Sequence, residues 1–195
     1  MLGAFEYELT QDRQALPISL ADAKSFLKIT STAEDAIITT MIGAAADFFE
    51  DFTNKILITK QFRTYRDYYH CDGIELRRGN FQSIEDVSLL NNGTWSAYDF
   101  AANLTERQRQ PYGWFILKNG AASLSTNASA AGIRIDFKAG WGDASSDLPA
   151  DVILLLLQLT AFMYENRGDC AAETLPGMVL TGLKKHRIYD LNGRL

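Results

Sequence analysis

Histidine, cysteine and proline are scarce in this chain, and each scarcity closes off a class of chemistry. Of 195 residues, two are histidine, two are cysteine and four are proline. His70 and His186 stand far apart, which gives poor support to a multi-histidine metal site or to histidine-dependent hydrolysis. Cys71 and Cys170 are equally distant and have no second pair in CxxC spacing. Neither a disulfide framework nor a zinc site follows from them, and reduced thiols are expected. No apolar run reaches the roughly 20 residues that a bilayer span requires. The longest, from Val152 to Met163, is broken by Gln158 and Thr160 and reads as a buried helix, so no membrane partner is expected. The opening Met1-Leu2-Gly3-Ala4-Phe5-Glu6-Tyr7-Glu8 lacks the basic and apolar stretches of a secretion signal, which points to synthesis in the cytoplasm. Cations are short as well: 19 lysines and arginines against 24 acidic residues leave a net charge of −5. A protein that grips DNA needs clustered cations to replace phosphate counterions, so specific nucleic-acid binding is not expected.

What remains is ordinary globular material, 47% hydrophobic and 22% charged, enough for one domain carrying a large insertion. Ser19 followed by Asp22 is an N-cap signal, and Leu20, Ala23, Phe26 and Leu27 keep helical spacing, predicting a short helix over 20–29. Ser31 and Thr32 with Glu34 and Asp35 restart a helix over 33–53, with Asn54 as its stop. Along it, Ile37, Met41, Ala44, Phe48 and Phe52 share a face flanked by Ile38, Ile42, Ala45 and Phe49. A stripe this wide reads as core, and Phe48 and Phe52 are taken as its anchors.

From Ile56 the period changes to that of strands. Thr59 to Tyr69 is rich in Thr, Tyr and Phe, and Ile74-Glu75-Leu76 alternates. Val87 to Leu90 meets the hairpin signal Asn91-Asn92-Gly93, after which Trp95 to Phe100 continues as strand. Tyr112 to Leu117 and Ile133 to Lys138 are further strands, separated by a turn at Lys118-Asn119-Gly120 and an Ala/Ser/Asn stretch, 121–131, expected to be a mobile loop. Helical character returns after Gly140-Trp141-Gly142, with Asp147 as cap and Pro149 at a tolerated position. A helix over 149–166 is apolar on nearly every side, and 178–189 forms a last helix whose Lys184, Lys185, His186 and Arg187 favour its negative end.

The fold class is therefore α+β. A small bundle of four helices from both ends of the chain, 1–55 and 140–195, carries an inserted antiparallel β domain at 56–139. Its expected helical core includes Phe48, Phe52, Leu155 and Phe162, because neither helical pair alone offers enough apolar surface.

Candidate chemistry is thin, and no catalytic, cofactor or metal residue is assigned. His70-Cys71-Asp72 places three reactive types side by side, yet neighbours on a strand point to opposite faces. His186 sits among cations that disfavour a neutral base. The pairs Glu34-Asp35 and Glu50-Asp51 diverge by about 100 degrees on a helix and cannot form a dyad unaided; capping explains the first and a solvated face the second. Gly140-Trp141-Gly142-Asp143 precedes a helix but lacks the ending of a phosphate loop, and reads as a turn. Tyr65, Tyr68, Tyr69, Trp95, Tyr98, Tyr112, Trp114 and Phe115 could stack on bases or sugars, but strand aromatics more commonly pack in cores or subunit interfaces. The closing segment is different. Lys184, Lys185, Arg187, Ile188, Tyr189, Leu191 and Leu195 combine cations with isolated apolar anchors, a pattern suited to docking on an acidic or grooved partner, against the plain alternative of a dipole-balancing helix end.

Several stretches carry a resemblance. Pro17-Ile-Ser-Leu-Ala-Asp-Ala-Lys-Ser-Phe-Leu-Lys-Ile29, Glu34-Asp35-Ala-Ile-Ile38, Phe49-Glu50-Asp51-Phe52-Thr53 and Leu57-Ile58-Thr59-Lys60-Gln61 resemble the head-tail connector (adaptor) proteins of long-tailed bacteriophages and gene transfer agents. The likeness continues through Leu76, Gly79, Gln82-Ser83-Ile84 and Val87, then Ala139 to Asp143 with Leu148-Pro149-Ala150, and Tyr164-Glu165-Asn166-Arg167. It spans roughly 16–190. It departs at Arg77 and Asn80, where that family often has prolines. The resemblance implies a structural virion protein without enzymatic activity or cofactor. Such a protein forms a ring, commonly of twelve copies, under the portal protein in the virion neck. Its partners would be itself, the portal, a tail-side neck or stopper protein, and passing double-stranded DNA that it does not bind specifically. In that family the end of the chain commonly reaches toward the portal. Two other readings stay open: another phage neck or tail-completion protein, and a carbohydrate-binding module or enzyme built on the β block.

Overall fold

The computed structural model describes residues 7–67, 73–106, 112–121, 124–128, 131–167 and 175–188. In chain order the elements are β1 (Tyr7–Gln11), α1 (Leu20–Leu27), α2 (Asp35–Thr53), β2 (Lys60–Arg66), β3 (Ile74–Leu76), β4 (Phe81–Asn91) and β5 (Thr94–Ala97). There follow α3 (Phe100–Asn103), β6 (Leu104–Glu106), β7 (Gly113–Leu117), β8 (Ile133–Ala139), a 3-10 turn (Ser145–Asp147), α4 (Ala150–Glu165) and α5 (Gly177–His186). The fold is α+β, helices with an antiparallel β insertion. The chain divides into two compact units, Met1–Asp12 with Thr59–Gly140, and Arg13–Ile58 with Trp141–Leu195.

The β unit holds a five-stranded antiparallel sheet in the order β1-β2-β8-β4-β5 and a three-stranded one in the order β3-β7-β6. Strand β8 shows the period-two rule plainly: Ile133, Ile135, Phe137 and Ala139 are buried, and Arg134, Asp136 and Lys138 point the other way. Phe137 is the hub of the inner face, with the rings of Phe62, Tyr7 and Phe81 at 5.6, 5.8 and 6.2 Å. Phe81 in turn meets Phe115 of the second sheet edge-on at 5.2 Å. The Asn92-Gly93 turn has the two positive φ angles, 52° and 76°, that a tight hairpin needs and that this pair tolerates.

Three features of this unit differ from the expectation. The N-terminal arm is a strand, β1, pairing with β2; Tyr7-Glu8-Leu9-Thr10 alternates apolar and polar residues, and the strand gives the edge of β2 a hydrogen-bonding partner although Glu8 to Gln11 are exposed. Residues 98–106 turn through α3 into β6 because Asp99 caps the short helix, accepting from the Ala102 amide. The described part of the supposed mobile loop is tied down: the Asn127 carboxamide accepts from the Asn92 amide, the Asn91 side chain accepts from the Asn127 amide, and the Thr126 hydroxyl donates to the Leu90 carbonyl.

The helical unit closes around Phe49, with Ile38, Ile42, Ala45 and Ala46 of α2 packed against Val152, Leu155, Leu156 and Leu159 of α4, and with Val179 and Leu183 of α5. Ser19 caps α1, its hydroxyl accepting from the Asp22 amide at 3.0 Å. Asn54 ends α2 in the left-handed region at φ 57°. Pro149, rather than Asp147, stands at the N-cap of α4; the Asp147 carboxylate instead closes the preceding turn by accepting from the Ala144 amide. At Gly182 a Cβ would sit 2.5 Å from a methyl of Leu155, so the glycine lets α5 lie close on α4.

The expected core is corrected in phase. Phe49 is fully buried and Phe48 is 37% exposed. Phe52 and Phe162 are only half-buried, whereas Leu155 is in the core. The apolar arc of α2 is wider than one neighbouring helix can cover, so the stripe through 38, 42, 45 and 49 faces α4 and the adjacent stripe through 37, 41, 44 and 48 does not. Spacing alone cannot say which of two adjoining stripes meets the partner.

Candidate assembly surface

The C-terminal cations are held by the helical unit itself. Asp151, in the first turn of α4 where the helix dipole favours an anion, accepts from Lys185 Nζ at 2.9 Å and lies 3.0 Å from His186 Nε2. Lys185 first, and then His186, hold the Asp151 carboxyl below the usual carboxylate range. The His186 ring stands 6.0 Å from that of Phe49. Arg187 leaves the helix in extended conformation with its guanidinium 5.2 Å above Phe52, and the Ile188 amide donates to the Thr53 carbonyl at 2.9 Å. Among the predicted docking residues, then, Lys185, Arg187 and Ile188 have partners within their own unit, and Lys184 is exposed. Tyr189, Leu191 and Leu195 lie outside the described residues.

Apolar side chains are conspicuous on the outside of the same unit. Ile37 (44%) and Phe48 share one stripe of α2 with Ala44, and Leu154 (48%) stands on α4 opposite its buried line. Met178 (75%) belongs to the first turn of α5, its sulfur 3.9 Å from Gln158 Nε2 of α4. None of Ile37, Leu154 and Met178 was singled out from sequence as partner-facing. The signal was present in α4, which is apolar nearly all round, since a helix of that kind seeks burial on every side.

The other sequence candidates resolve into structural roles. Glu34 precedes α2 and binds the Tyr164 hydroxyl and Arg167, at 2.6 Å for the latter, while Asp35 pairs with Lys24 at 2.6 Å. The Tyr164 hydrogen bond first, and then Arg167, hold the Glu34 carboxyl low. Glu50 corrects its reading as a solvated residue: it is buried and accepts from the Leu57 amide at 3.0 Å, capping the turn after α2, while Asp51 is exposed. In the 140–143 turn, Gly140 takes φ 150°, the Trp141 amide donates to Leu57, and a Cβ at Gly142 would run into the Asp147 side chain. These contacts explain the glycines without a phosphate. His70, Cys71 and Asp72 fall outside the described residues, as do Tyr68 and Tyr69. Phe115 and Tyr98 are buried; Tyr65 and Trp95 are exposed 6.2 Å apart, with Arg134 5.1 Å over Trp95. Among the described residues no group of three or more His, Cys, Asp or Glu could hold a metal ion, and no helix is long and apolar enough to cross a membrane.

Residues 17–113 match the family described as phage gp6-like head-tail connector proteins. No curated protein matches the chain. Solved structures of similar fold include a chain from the neck of an empty gene transfer agent particle computed with C6 symmetry, at TM-score 0.80 and 24% identity, covering 97% of this chain and 100% of that one. A chain from the virion of a native gene transfer agent particle is similar at TM-score 0.78 and 23% identity, covering 96% and 98%. A third, from the neck of a native particle computed with C12 symmetry, is similar at TM-score 0.73 and 24% identity, covering 97% and 100%.

Proposed function

We propose that this chain, a head-tail connector protein by its sequence over residues 17–113, is a structural subunit of the neck of a phage-like particle, where copies of it form a ring between portal and tail. The observation that carries this reading is the agreement of two comparisons: a connector family over the first half, and a fold shared along nearly the whole chain with neck chains computed under six-fold and twelve-fold symmetry. The role is assembly rather than enzymatic catalysis. Twelve copies around the DNA path is the reading of the ring, with the portal protein on one side and a tail-side neck protein on the other. The composition suits passage of DNA, because a net charge of −5 repels phosphate instead of holding it.

The end of the chain is the contact proposed for the portal side. Thr53 and Phe52 fasten it as far as Ile188, so the docking reading rests on the closing residues 189–195 and on the exposed Lys184. Electron microscopy of particles is the test of the ring. A density for this chain between portal and tail, in closed rotational symmetry, is expected, and its location elsewhere in the particle overturns the reading. Deleting 189–195 spares the Ile188 hydrogen bond and tests the portal contact. A folded protein that no longer joins portal-bearing heads to tails is expected, and normal joining removes the docking role.

A further inference from the structure

We propose that Asn119-Gly120 is a site of spontaneous covalent modification, deamidation through a cyclic imide, and that Asn127 keeps Asn92-Gly93 from the same reaction. The chain has three Asn-Gly pairs; Asn192-Gly193 lies outside the described residues, and the other two both stand in exposed turns. Exposure therefore does not separate them. In the reaction the Gly120 amide nitrogen bonds to Cγ of Asn119 while the Cγ to Nδ2 bond breaks, and ammonia leaves with the proton of that amide. Water then opens the imide at either carbonyl, leaving aspartate or its β-linked isomer, isoaspartate. Nothing is oxidised or reduced, and water is the only co-reactant. Glycine as the second residue favours closure, because no Cβ shields its nitrogen or restricts the backbone rotation that brings it to Cγ.

Asn92 is held away from that geometry. Its Oδ1 accepts from Asn127 Nδ2 at 2.6 Å, and its own amide donates to Asn127 Oδ1 at 2.9 Å. Asn127 is anchored in turn, its amide donating to Asn91 Oδ1 at 3.1 Å. Asn92 and Gly93 also stand at φ 52° and 76° between the paired residues Asn91 and Thr94, as a tight hairpin demands. Closing the imide would take the Asn92 side chain off Asn127 and twist the hairpin open. Asn119 carries no such restraint. Its turn is closed by the Ala121 amide donating to the Lys118 carbonyl at 3.0 Å, with Gly120 at φ 79° as the third turn residue. The Asn119 carboxamide has no hydrogen-bond partner among the described residues, and a Cβ placed on Gly120 would meet nothing within 4 Å, so the side chain has room to swing onto the glycine nitrogen. The isoaspartate product would add a methylene to the main chain and set a new carboxylate beside Lys118, just past the end of β7.

The test follows the folded full-length chain in mildly alkaline buffer by peptide mapping, with isoaspartate told from aspartate by electron-transfer fragmentation. Asn119 is expected to convert to both acids roughly tenfold or more faster than Asn92, the size of effect that two lost hydrogen bonds would have. In denaturant the two pairs are expected to convert at similar rates, which assigns the difference to the fold. Asn127→Ala removes only an exposed side chain and is expected to bring the Asn92 rate up toward that of Asn119. The Asn92 rate is read as a ratio to Asn119 in the same sample, so that any general loosening of the variant cancels. Equal rates in the folded chain, or Asn92 converting first, overturn the assignment of Asn119. A ratio unchanged by Asn127→Ala overturns the protective role of Asn127.

Discussion

The outer face of the β unit and the outer face of the helical unit are built on opposite plans. On the large sheet, every outward residue of β8 has an answer on a neighbouring strand: Asp136 takes two bonds from Arg63 at 2.7 and 2.8 Å, Lys138 meets Glu85 at 3.0 Å, and Arg134 reaches Ser88 at 3.0 Å and Asp86 at 3.5 Å. Along β8 the cross-strand ladder of opposite charges is paired off and fixes register, while among the described residues the apolar exposure of this sheet is confined to Leu9, Tyr65 and Trp95 on the flanking strands. On the helices, large apolar side chains are left outside a core that is already complete. Surplus apolar surface on a folded unit marks a place of association. The difference teaches that the two faces end differently, the β8 face with its charges paired across strands and the helical face with Ile37, Phe48, Leu154 and Met178 left over from the core.

The strongest way to sharpen this contrast is within α2. Phe49→Ala is expected to cost about 3–5 kcal/mol of stability, as removal of a fully buried ring does, while Phe48→Ala, one residue away, is expected to cost less than about 1 kcal/mol. Chemical denaturation of the two variants checks it, and equal losses would mean that the exposed stripe is part of the monomer core. Next in size is Glu50→Ala, which leaves the Leu57 amide without its acceptor; a loss of about 1–3 kcal/mol in the same assay is expected. Gly182→Ala is expected to cost about 1–3 kcal/mol through overpacking on Leu155, unless α5 can move away.

The charged face of the sheet should answer far more weakly. Arg63→Ala is expected to change stability by about 0–1 kcal/mol and to lose even that effect in high salt, since the pair is partly exposed and screened. A larger loss would show that the ladder supports the β core and does more than finish its surface. The smallest expected effect concerns Glu34. Its folded carboxyl titrates below the ordinary value of 4.5, so its contribution is fully present above that pH and is lost as pH falls through the lowered value. The gap in unfolding midpoint between wild type and Glu34→Gln should therefore hold constant above pH 4.5 and shrink below it. A gap unchanged through the acid range would remove the Tyr164 and Arg167 contacts as its cause.

Where the chain's periodicity is strong, its elements could be read from the residues. Ser19 and Asn54 are local signals and did their local work as caps; the Asn92-Gly93 turn and the alternation of 133–138 likewise follow from backbone sterics and pleat, which act within a few residues. Strand β1 carries a short alternating signal in Phe5-Glu6-Tyr7-Glu8-Leu9-Thr10, but its place was not legible, because the edge of β2 and the Phe137 ring that Tyr7 packs on lie far along the chain. Nor was the burial of Glu50, since a carboxylate on a helix looks solvated until the returning chain brings the Leu57 amide to it.

The amino-acid sequence by itself determined the α+β class, the order of two helices, a strand block and two helices, the poverty of catalytic equipment and the connector signature in 17–113. These depend on composition and on neighbours a few positions apart. Only the tertiary structure decided which of two adjoining stripes of α2 is core, that Lys185, His186 and Arg187 are fastened to Asp151, Phe49 and Phe52, and that α4 keeps an apolar face outside. The physical reason is that a helix wheel gives angles relative to the helix alone. Which angle is covered depends on where residues more than a hundred positions away come to rest.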